Sequence, residues 1–231
     1  MARVAVISDV HGNSVALELC LKSIQKLKPD MVICLGDSVG YYPDEKMCYE
    51  ALEDIDAFHL MGNHEAMLLG LLPLEIETDE IYSLREARIR MTTTLKQRIA
   101  GFPIQKFLEI DGFVGEFYHG SPTDNLTGYV YSDTKVEPIQ QGRSNHVFIG
   151  NTHRSFCSIN SWGKVVNVGS VGMPRDSGDQ GTYVVIDTDT SRVHRVILQL
   201  PVQQIKAKYP KVHPTVLECL NRRAPLAQFN G

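Results

Sequence analysis

Two β-sheets packed face to face, with helices outside, are what this 231-residue sequence predicts. Three observations carry the prediction. A strand–helix–strand unit opens the chain, a run of shorter strands fills its second half, and polar ligand-type residues recur directly after the strands. Residues 4–8 are a continuous apolar run of the kind covered on both faces. Residues 14–27 read as an amphipathic helix, with Val15, Leu17, Leu19, Leu21 and Ile24 set among Lys22, Gln25 and Lys26. Pro29-Asp30 breaks the helix, and residues 31–35 make a second buried strand, completing a βαβ unit. A helix over 46–52 and a third strand over 57–61 follow.

Residues 66–103 differ in character. Leu84, Ala87, Ile89, Met91 and Leu95 are spaced between charged and polar residues, with Pro73 and Gly101-Phe102-Pro103 as punctuation. This predicts one or two helices forming a lobe beside the strand-end loops, whose exposed apolar residues permit a homodimer. Strands are expected at about 105–110, 113–118, 147–149, 156–159, 165–168, 182–187 and 193–197, with Asp111-Gly112 as the hairpin turn between the first two. Trp162 falls in a later hairpin turn and is assigned to packing. The organisation is a domain over 1–200, with the insertion at about 66–103, and a C-terminal helical tail over 201–231, helical around 216–222.

Composition excludes several classes. Hydrophobic residues at 43% and charged residues at 22% are ordinary for a globular domain. A net charge of −4 gives no strong nucleic-acid signal, because such binders carry a clustered basic face. Arg85, Arg88 and Arg90 surround Glu86 and read as a solvated helix face. Five scattered cysteines without a C-x-x-C pair suit a reducing compartment. The sequence enters a strand at once, leaving no room for a signal peptide, and no apolar run approaches the roughly 18–20 residues of a membrane span. The expected location is cytoplasmic, with no membrane partner.

Six strand-end stretches carry the chemistry: Asp9-Val10-His11, Gly36-Asp37, Gly62-Asn63-His64-Glu65, His119-Gly120, Gly150-Asn151-Thr152-His153 and Asn167-Val168-Gly169-Ser170. Loops at the carboxyl ends of parallel strands are the usual address for ligands. In an extended segment Asp9 and His11 would share one face and grip one cation. Asp37 follows Gly36, whose missing side chain allows close approach, and an aspartate can bridge two ions. Asn63 offers an amide oxygen; His119 and His153 offer imidazole nitrogens. This mixed ligation suits two divalent transition metals, manganese first, with iron, zinc, nickel or cobalt as alternatives, better than it suits calcium or magnesium. Two such ions about 3.5–4 Å apart lower the pKa of a bound water from about 15.7 toward about 7, so no protein nucleophile is required. His59, His146, His194 and His213 match no such stretch and are assigned structural roles.

The order D-x-H, G-D, G-N-H-E, H-G and G-x-x-H resembles the calcineurin-like metallophosphoesterases. Residues 8–13 (Ser8-Asp9-Val10-His11-Gly12-Asn13) and the loop from Asn167 to Asp176 resemble the small bacterial and archaeal phosphodiesterase branch. The resemblance spans about residues 3–198. It implies a four-layer α/β/β/α sandwich of two mixed sheets, with a first metal on Asp9, His11, Asp37 and His153. Asp37 would bridge to a second metal on Asn63 and His119. His64 would stay unligated and assist the leaving group, with Glu65 orienting it. Where the family has a histidine this chain has Asn151, a weaker ligand for the second metal. Asn13 and Arg175 lie in the family-like loops and are candidates to touch a substrate phosphate, with bracing of the backbone as the equal alternative.

The implied activity is hydrolysis of a small phosphoester or nucleotide, a phosphodiester first, by in-line attack of a metal-bridging hydroxide. Dinucleoside polyphosphate hydrolysis and phosphoprotein dephosphorylation are the rival activities for the same site. A non-catalytic interaction scaffold is the third reading; Asn151 hints at it and His64 speaks against it.

Overall fold

Successive residues of β1 (Arg3–Ile7) face two different cores. Val4 and Val6 point between the sheets, while Ala5 and Ile7 point at the helices, as the two-residue period of a strand requires. The computed structural model describes residues 2–229 and 231. β1 is followed by α1 (Ser14–Leu27), β2 (Met31–Cys34), α2 (Glu45–Glu53) and β3 (Phe58–His59). β1 pairs in parallel with β2, and β2 with β3. The third strand is two residues long, shorter than the predicted 57–61, because the chain turns after His59 toward the centre described below.

The insertion holds α3 (Asn63–Leu69), α4 (Ile76–Tyr82), α5 (Leu84–Arg90) and α6 (Thr93–Ala100), four short helices where one or two were expected. Left-handed backbone at Gly70 ends α3 and at Ser83 separates α4 from α5; the Thr92 side chain accepts from the Leu95 amide and caps α6. Helices this short are marginal alone. They are held by a shared core of Leu68, Leu84, Ala87, Met91, Leu95 and Ile99, packed on Val39 and Tyr49. Among the apolar residues singled out in this lobe, Ile89 is the one left exposed, at 85%.

β4 (Gln105–Ile110), β5 (Phe113–Tyr118), β6 (His146–Ile149), β7 (Phe156–Asn160), β8 (Gly163–Asn167), β9 (Gln180–Asp187) and β10 (Arg192–Gln199) complete the strands. The result is an α/β sandwich of two mixed five-stranded sheets, ordered β10-β9-β1-β2-β3 and β4-β5-β6-β8-β7. Asp111 and Gly112 both have positive φ, as the β4–β5 hairpin turn demands. Phe113, Phe117 and Phe148 from the second sheet meet Val4, Val6, Ile33 and Leu35 from the first. On the outer face of the second sheet, Val147, Ile149 and Val165 are covered by Val130 and Val136 from the long β5–β6 connection, with Trp162 packed beside them.

On the outer face of the first sheet lie α1, α7 (Val202–Lys208) and α8 (Pro214–Cys219). α7 was not anticipated. Its Ile205, with Tyr209, Val216 and Leu220 beyond it, joins the core of α1, so packing rather than local periodicity makes this tail helical. The five cysteines are buried and form no disulfide among the described residues, and no helix among those residues is long and apolar enough to cross a membrane.

Candidate metal centre

The ends of β1, β2, β3, β5 and β6 converge, and the loops after them carry Asp9 and His11, Asp37, Asn63 and His64, His119, and Asn151 and His153. The sheets are tied together here: His119 Nδ1 bonds the Leu35 carbonyl at 3.2 Å, and the Asn151 amide donates to Asp9 Oδ2 at 3.1 Å. The backbone is strained in the same place. Asp9, His11, Asp37, Asn151 and His153 all have φ between +52° and +62°, where non-glycine residues are uncommon. The extended pairing expected for Asp9 and His11 is therefore replaced by two left-handed residues, which still bring His11 Nε2 to 3.5 Å from Asp9 Oδ1. Gly36 (φ +111°) is needed for another reason than expected: a Cβ there would stand 2.5 Å from the Gly62 amide nitrogen.

Backbone carbonyls set the direction of three imidazoles. Val39, Met173 and Leu35 carbonyls can only accept, so the facing Nδ1 atoms of His11, His153 and His119 donate to them, at 3.1, 2.7 and 3.2 Å. In a neutral ring the Nε2 atom is then a bare lone pair, the arrangement by which second-layer carbonyls orient metal-binding histidines. His11 Nε2 and His153 Nε2 approach to 3.0 Å, and His153 Nε2 lies 3.1 Å from Asp9 Oδ1. Asp9 Oδ1 is buried without a hydrogen-bond partner. Two lone pairs and a carboxylate oxygen at this spacing repel one another unless a cation sits among them, so these residues fit a metal ion.

Three overlapping triads have ligand atoms within 4.8 Å of one another: Asp9, His11 and His153; His11, Asp37 and His64; and Asp9, Asp37 and His119. Asp37 Oδ2 lies 3.3 Å from His119 Nε2, 3.8 Å from His11 Nε2 and 3.9 Å from His64 Nε2. His119 Nε2 also meets Asn63 Oδ1 at 2.9 Å. Burial opposes ionisation of Asp9, but His153, His11 and His119 hold it well below the usual carboxylate range. Burial likewise opposes the charge on His119, yet Asp37 and Asp9 raise it to about 9. The cluster thus draws positive charge inward, and a divalent ion would take the place of that proton.

A family model for the calcineurin-like phosphoesterase superfamily domain matches residues 2–191. The chain belongs to that superfamily. An uncharacterized protein of Methanocaldococcus jannaschii is 27% identical over 227 residues, covering 90% of this chain and 91% of its own. A hypothetical protein of Pyrococcus horikoshii superposes with a TM-score of 0.82 at 19% identity, over 98% of this chain and 100% of its own. A metallophosphoesterase of Sphaerobacter thermophilus does so at 0.76 and 22% identity, over 95% of this chain and 98% of its own. These structural likenesses extend the superfamily's fold to nearly the whole chain.

Within this phosphoesterase fold, one expected role needs correction, that of Glu65, and for Asn13 the bracing alternative holds. Glu65 does not orient His64. Its Oε2 accepts from the Asp37 and Gly62 amides at 2.8 and 2.9 Å, and its Oε1 accepts from the Ser38 amide and the Tyr49 hydroxyl at 2.7 Å each. It is a clamp on the Asp37 loop. Asn13 is fully buried and spends its amide on backbone: Oδ1 accepts from Ala16 N at 3.2 Å, capping α1, and Nδ2 donates to the Gly172 carbonyl at 2.8 Å. It braces the loop instead of facing a substrate.

His64 is 2% exposed, and its backbone amide donates to Asp37 Oδ1 at 2.9 Å. Burial lowers its pKa to about 3, so the ring is neutral near pH 7. Its Nδ1 is packed against Gly40, where a Cβ would come within 2.4 Å, and lacks a hydrogen-bond partner. Asn151 donates from Nδ2 to the Gly128 carbonyl at 3.2 Å, leaving its amide oxygen as the atom available for a ligand role. The sixth stretch braces the others. Asn167 Nδ2 reaches the Gly150 carbonyl and Thr152 Oγ1, and Ser170 Oγ bonds the Asp9 carbonyl at 2.7 Å.

Sequence reasoning missed Tyr41 and Tyr82. The Tyr41 ring stands edge-on to His11 with centroids 4.6 Å apart, and Tyr82 lies 4.4 Å from His64. Arg175 donates to the Tyr41 hydroxyl at 3.1 Å, and its amide bonds the His153 carbonyl. Tyr41 also takes positive φ (+60°), but one tyrosine in a Gly-Tyr-Tyr-Pro turn gives no sequence signal of that.

Proposed function

We propose that this chain is a metal-dependent phosphoesterase, with phosphodiesters as its first substrate class. The observation that carries the reading is the 3.0 Å approach of two imidazole lone pairs, His11 Nε2 and His153 Nε2, around the unpartnered Asp9 Oδ1. Asp9, His11, Asp37 and His153 hold one divalent ion; Asp37 is shared with a second, held by Asn63 and His119, with Asn151 as a weaker flank. The mixed oxygen and nitrogen set makes manganese the first ion to test. Ions in this position supply Lewis-acid activation of water and charge neutralisation at a phosphoryl group.

The side chains do the rest. Two carboxylates, Asp9 and Asp37, face the centre, so two divalent ions leave a net +2 (+4 − 2) that draws an anionic ester. His64, neutral and buried beside Asp37, offers an N–H hydrogen bond to the charge developing on a phosphoryl or leaving oxygen. Glu65 and Asn13 keep the loops in place. The loops over 8–13 and 167–176, which resemble the phosphodiesterase branch, support diesters ahead of phosphopeptides. A reducing, cytoplasmic compartment suits five buried cysteines with no disulfide among the described residues.

The test is elemental analysis together with a manganese-supplemented panel of bis(p-nitrophenyl) phosphate, p-nitrophenyl phosphate, diadenosine tetraphosphate and a phosphopeptide. The reading expects bound metal and turnover of the diester. No bound metal and no turnover of any member would overturn it in favour of a scaffold.

A further inference from the structure

Arg175 is partly buried, yet its guanidinium hydrogen-bonds to tyrosine hydroxyls, Tyr41 at 3.1 Å and Tyr129. Among the described residues no carboxylate lies within ion-pair distance of it; Asp9, inside the metal centre, attracts it only from farther away. The more exposed Arg90 and Arg154 are paired, with Glu45 at 2.8 Å and Asp176 at 3.1 Å, while Arg195, partly buried like Arg175, donates to the Ser155 and Ala227 carbonyls at 3.3 and 3.0 Å. A guanidinium withdrawn from water without an acid is costly unless an anion arrives to pair with it.

Such an anion has a place to sit. A cavity of about 340 Å³ is lined by Tyr41, Tyr82, Met173 and Arg175 on one side and by Thr215 and Arg222 on the other. Arg222 is exposed, and among the described residues its guanidinium has no carboxylate partner. Two cations, three hydroxyl-bearing side chains and no acid therefore line one cavity. Its inner wall touches the centre: Tyr41 packs on His11, Tyr82 on His64, and the Met173 carbonyl accepts from His153 Nδ1 at 2.7 Å. Thr215 and Arg222 come from α8 and the residues just after it, so the C-terminal tail reaches the edge of the centre.

We propose that this cavity is a subsite for a second phosphoryl group of the substrate, held by Arg175 and Arg222. The inference rests on the phosphoesterase reading and narrows its substrate class to esters or anhydrides carrying two phosphoryl groups, as in nucleoside polyphosphates. Planar guanidinium groups match phosphate oxygens in paired hydrogen bonds, a geometry lysine does not offer.

The test uses the full chain loaded with manganese. Calorimetric titration with adenosine 5′-(α,β-methylene)diphosphate, which resists hydrolysis, should show binding weakened about tenfold by Arg222→Gln and further by Arg175→Gln, as expected for a lost charge-assisted hydrogen bond. Arg192→Gln, on β10, serves as the control for a lost positive charge elsewhere. In kinetics, Arg222→Gln should lower the ratio of kcat/KM for diadenosine tetraphosphate over bis(p-nitrophenyl) phosphate by about the same factor. Equal binding in wild type and both variants overturns the subsite, as does a parallel fall on both substrates. Arg222-dependent binding of inorganic phosphate with an unchanged substrate ratio also overturns it, in favour of a free-phosphate site. If wild type cleaves neither ester but still binds the methylene diphosphate through Arg222, the subsite stands and the phosphoesterase reading fails.

Discussion

The two halves of the metal centre are built differently. Around Asp9, His11 and His153 each imidazole is steered by a backbone carbonyl, and all three residues are at most 3% exposed. Around Asn63 and His119 the imidazole is buried and steered in the same way, by the Leu35 carbonyl, but the other ligand candidate is an amide at the boundary with solvent, and the neighbouring Asn151 is another neutral amide. Charge does not separate the halves, since Asp9 and Asp37 each stand in a triad with His11 and together in the triad with His119. Hard anionic oxygen and pre-aimed nitrogen bind divalent ions more tightly than neutral amide oxygen. On the proposed reading the comparison predicts unequal grip on two ions, tighter where no neutral amide is a ligand and looser beside Asn63 and Asn151.

The largest effect should come from removing the residue the halves share. Asp37→Ala is expected to empty both halves, with turnover lost by more than about 10⁴-fold, because the residual centre lacks the ions that activate water. Elemental analysis of the purified variant checks it; retention of either ion would separate the halves completely. His64→Ala touches neither half as an ion holder. It should lower turnover by about 10²–10⁴-fold with metal content near normal, and metal loss instead would make His64 a ligand.

Glu65→Gln should act on both halves through the Asp37 loop. An amide nitrogen would replace an oxygen that accepts two donors, destabilising the fold by about 3 kcal/mol in urea unfolding. An unchanged urea midpoint would mean the clamp contributes nothing.

Acid lability must be separated from this comparison before loss of either ion at low pH is interpreted. His59 lies outside both halves, stacked on Phe102, and burial lowers its pKa to about 4. The fold holds it neutral, so the unfolded chain binds the extra proton, and stability present above about pH 6.5 is lost as pH falls toward 4. That amounts to roughly 2 kcal/mol between pH 6.5 and pH 5. His59→Phe keeps the stack and should flatten this dependence; unfolding curves at the two pH values decide. The smallest effect is expected from Asn151→His, which should tighten the looser ion several-fold while leaving the tight one alone. An unchanged titration would remove Asn151 from the ligand set.

Much of this was legible in the sequence because strand ends advertise themselves. Apolar runs mark where each strand stops, and Asp9, His11, Asp37, Asn63, His119 and His153 stand within a few residues of those stops. What a carboxylate points at is not written there. Glu65 follows His64 in sequence, yet helix α3 turns the two side chains apart, so Glu65 serves three backbone amides and Tyr49. Asn13 looks like a substrate residue and is a helix cap. α7 carries too little periodicity to be read without Ile205 and Tyr209 packed on α1. Tyr82 reaches His64 only because Ser83 turns the chain left-handed between α4 and α5.

Titration of the metal-stripped chain with manganese, followed by calorimetry, tests the unequal centre most directly. The account predicts two ions in separate steps, the tight step abolished by His11→Ala and the weak step by His119→Ala. Two ions of equal affinity, or a single ion indifferent to His119→Ala, would contradict it.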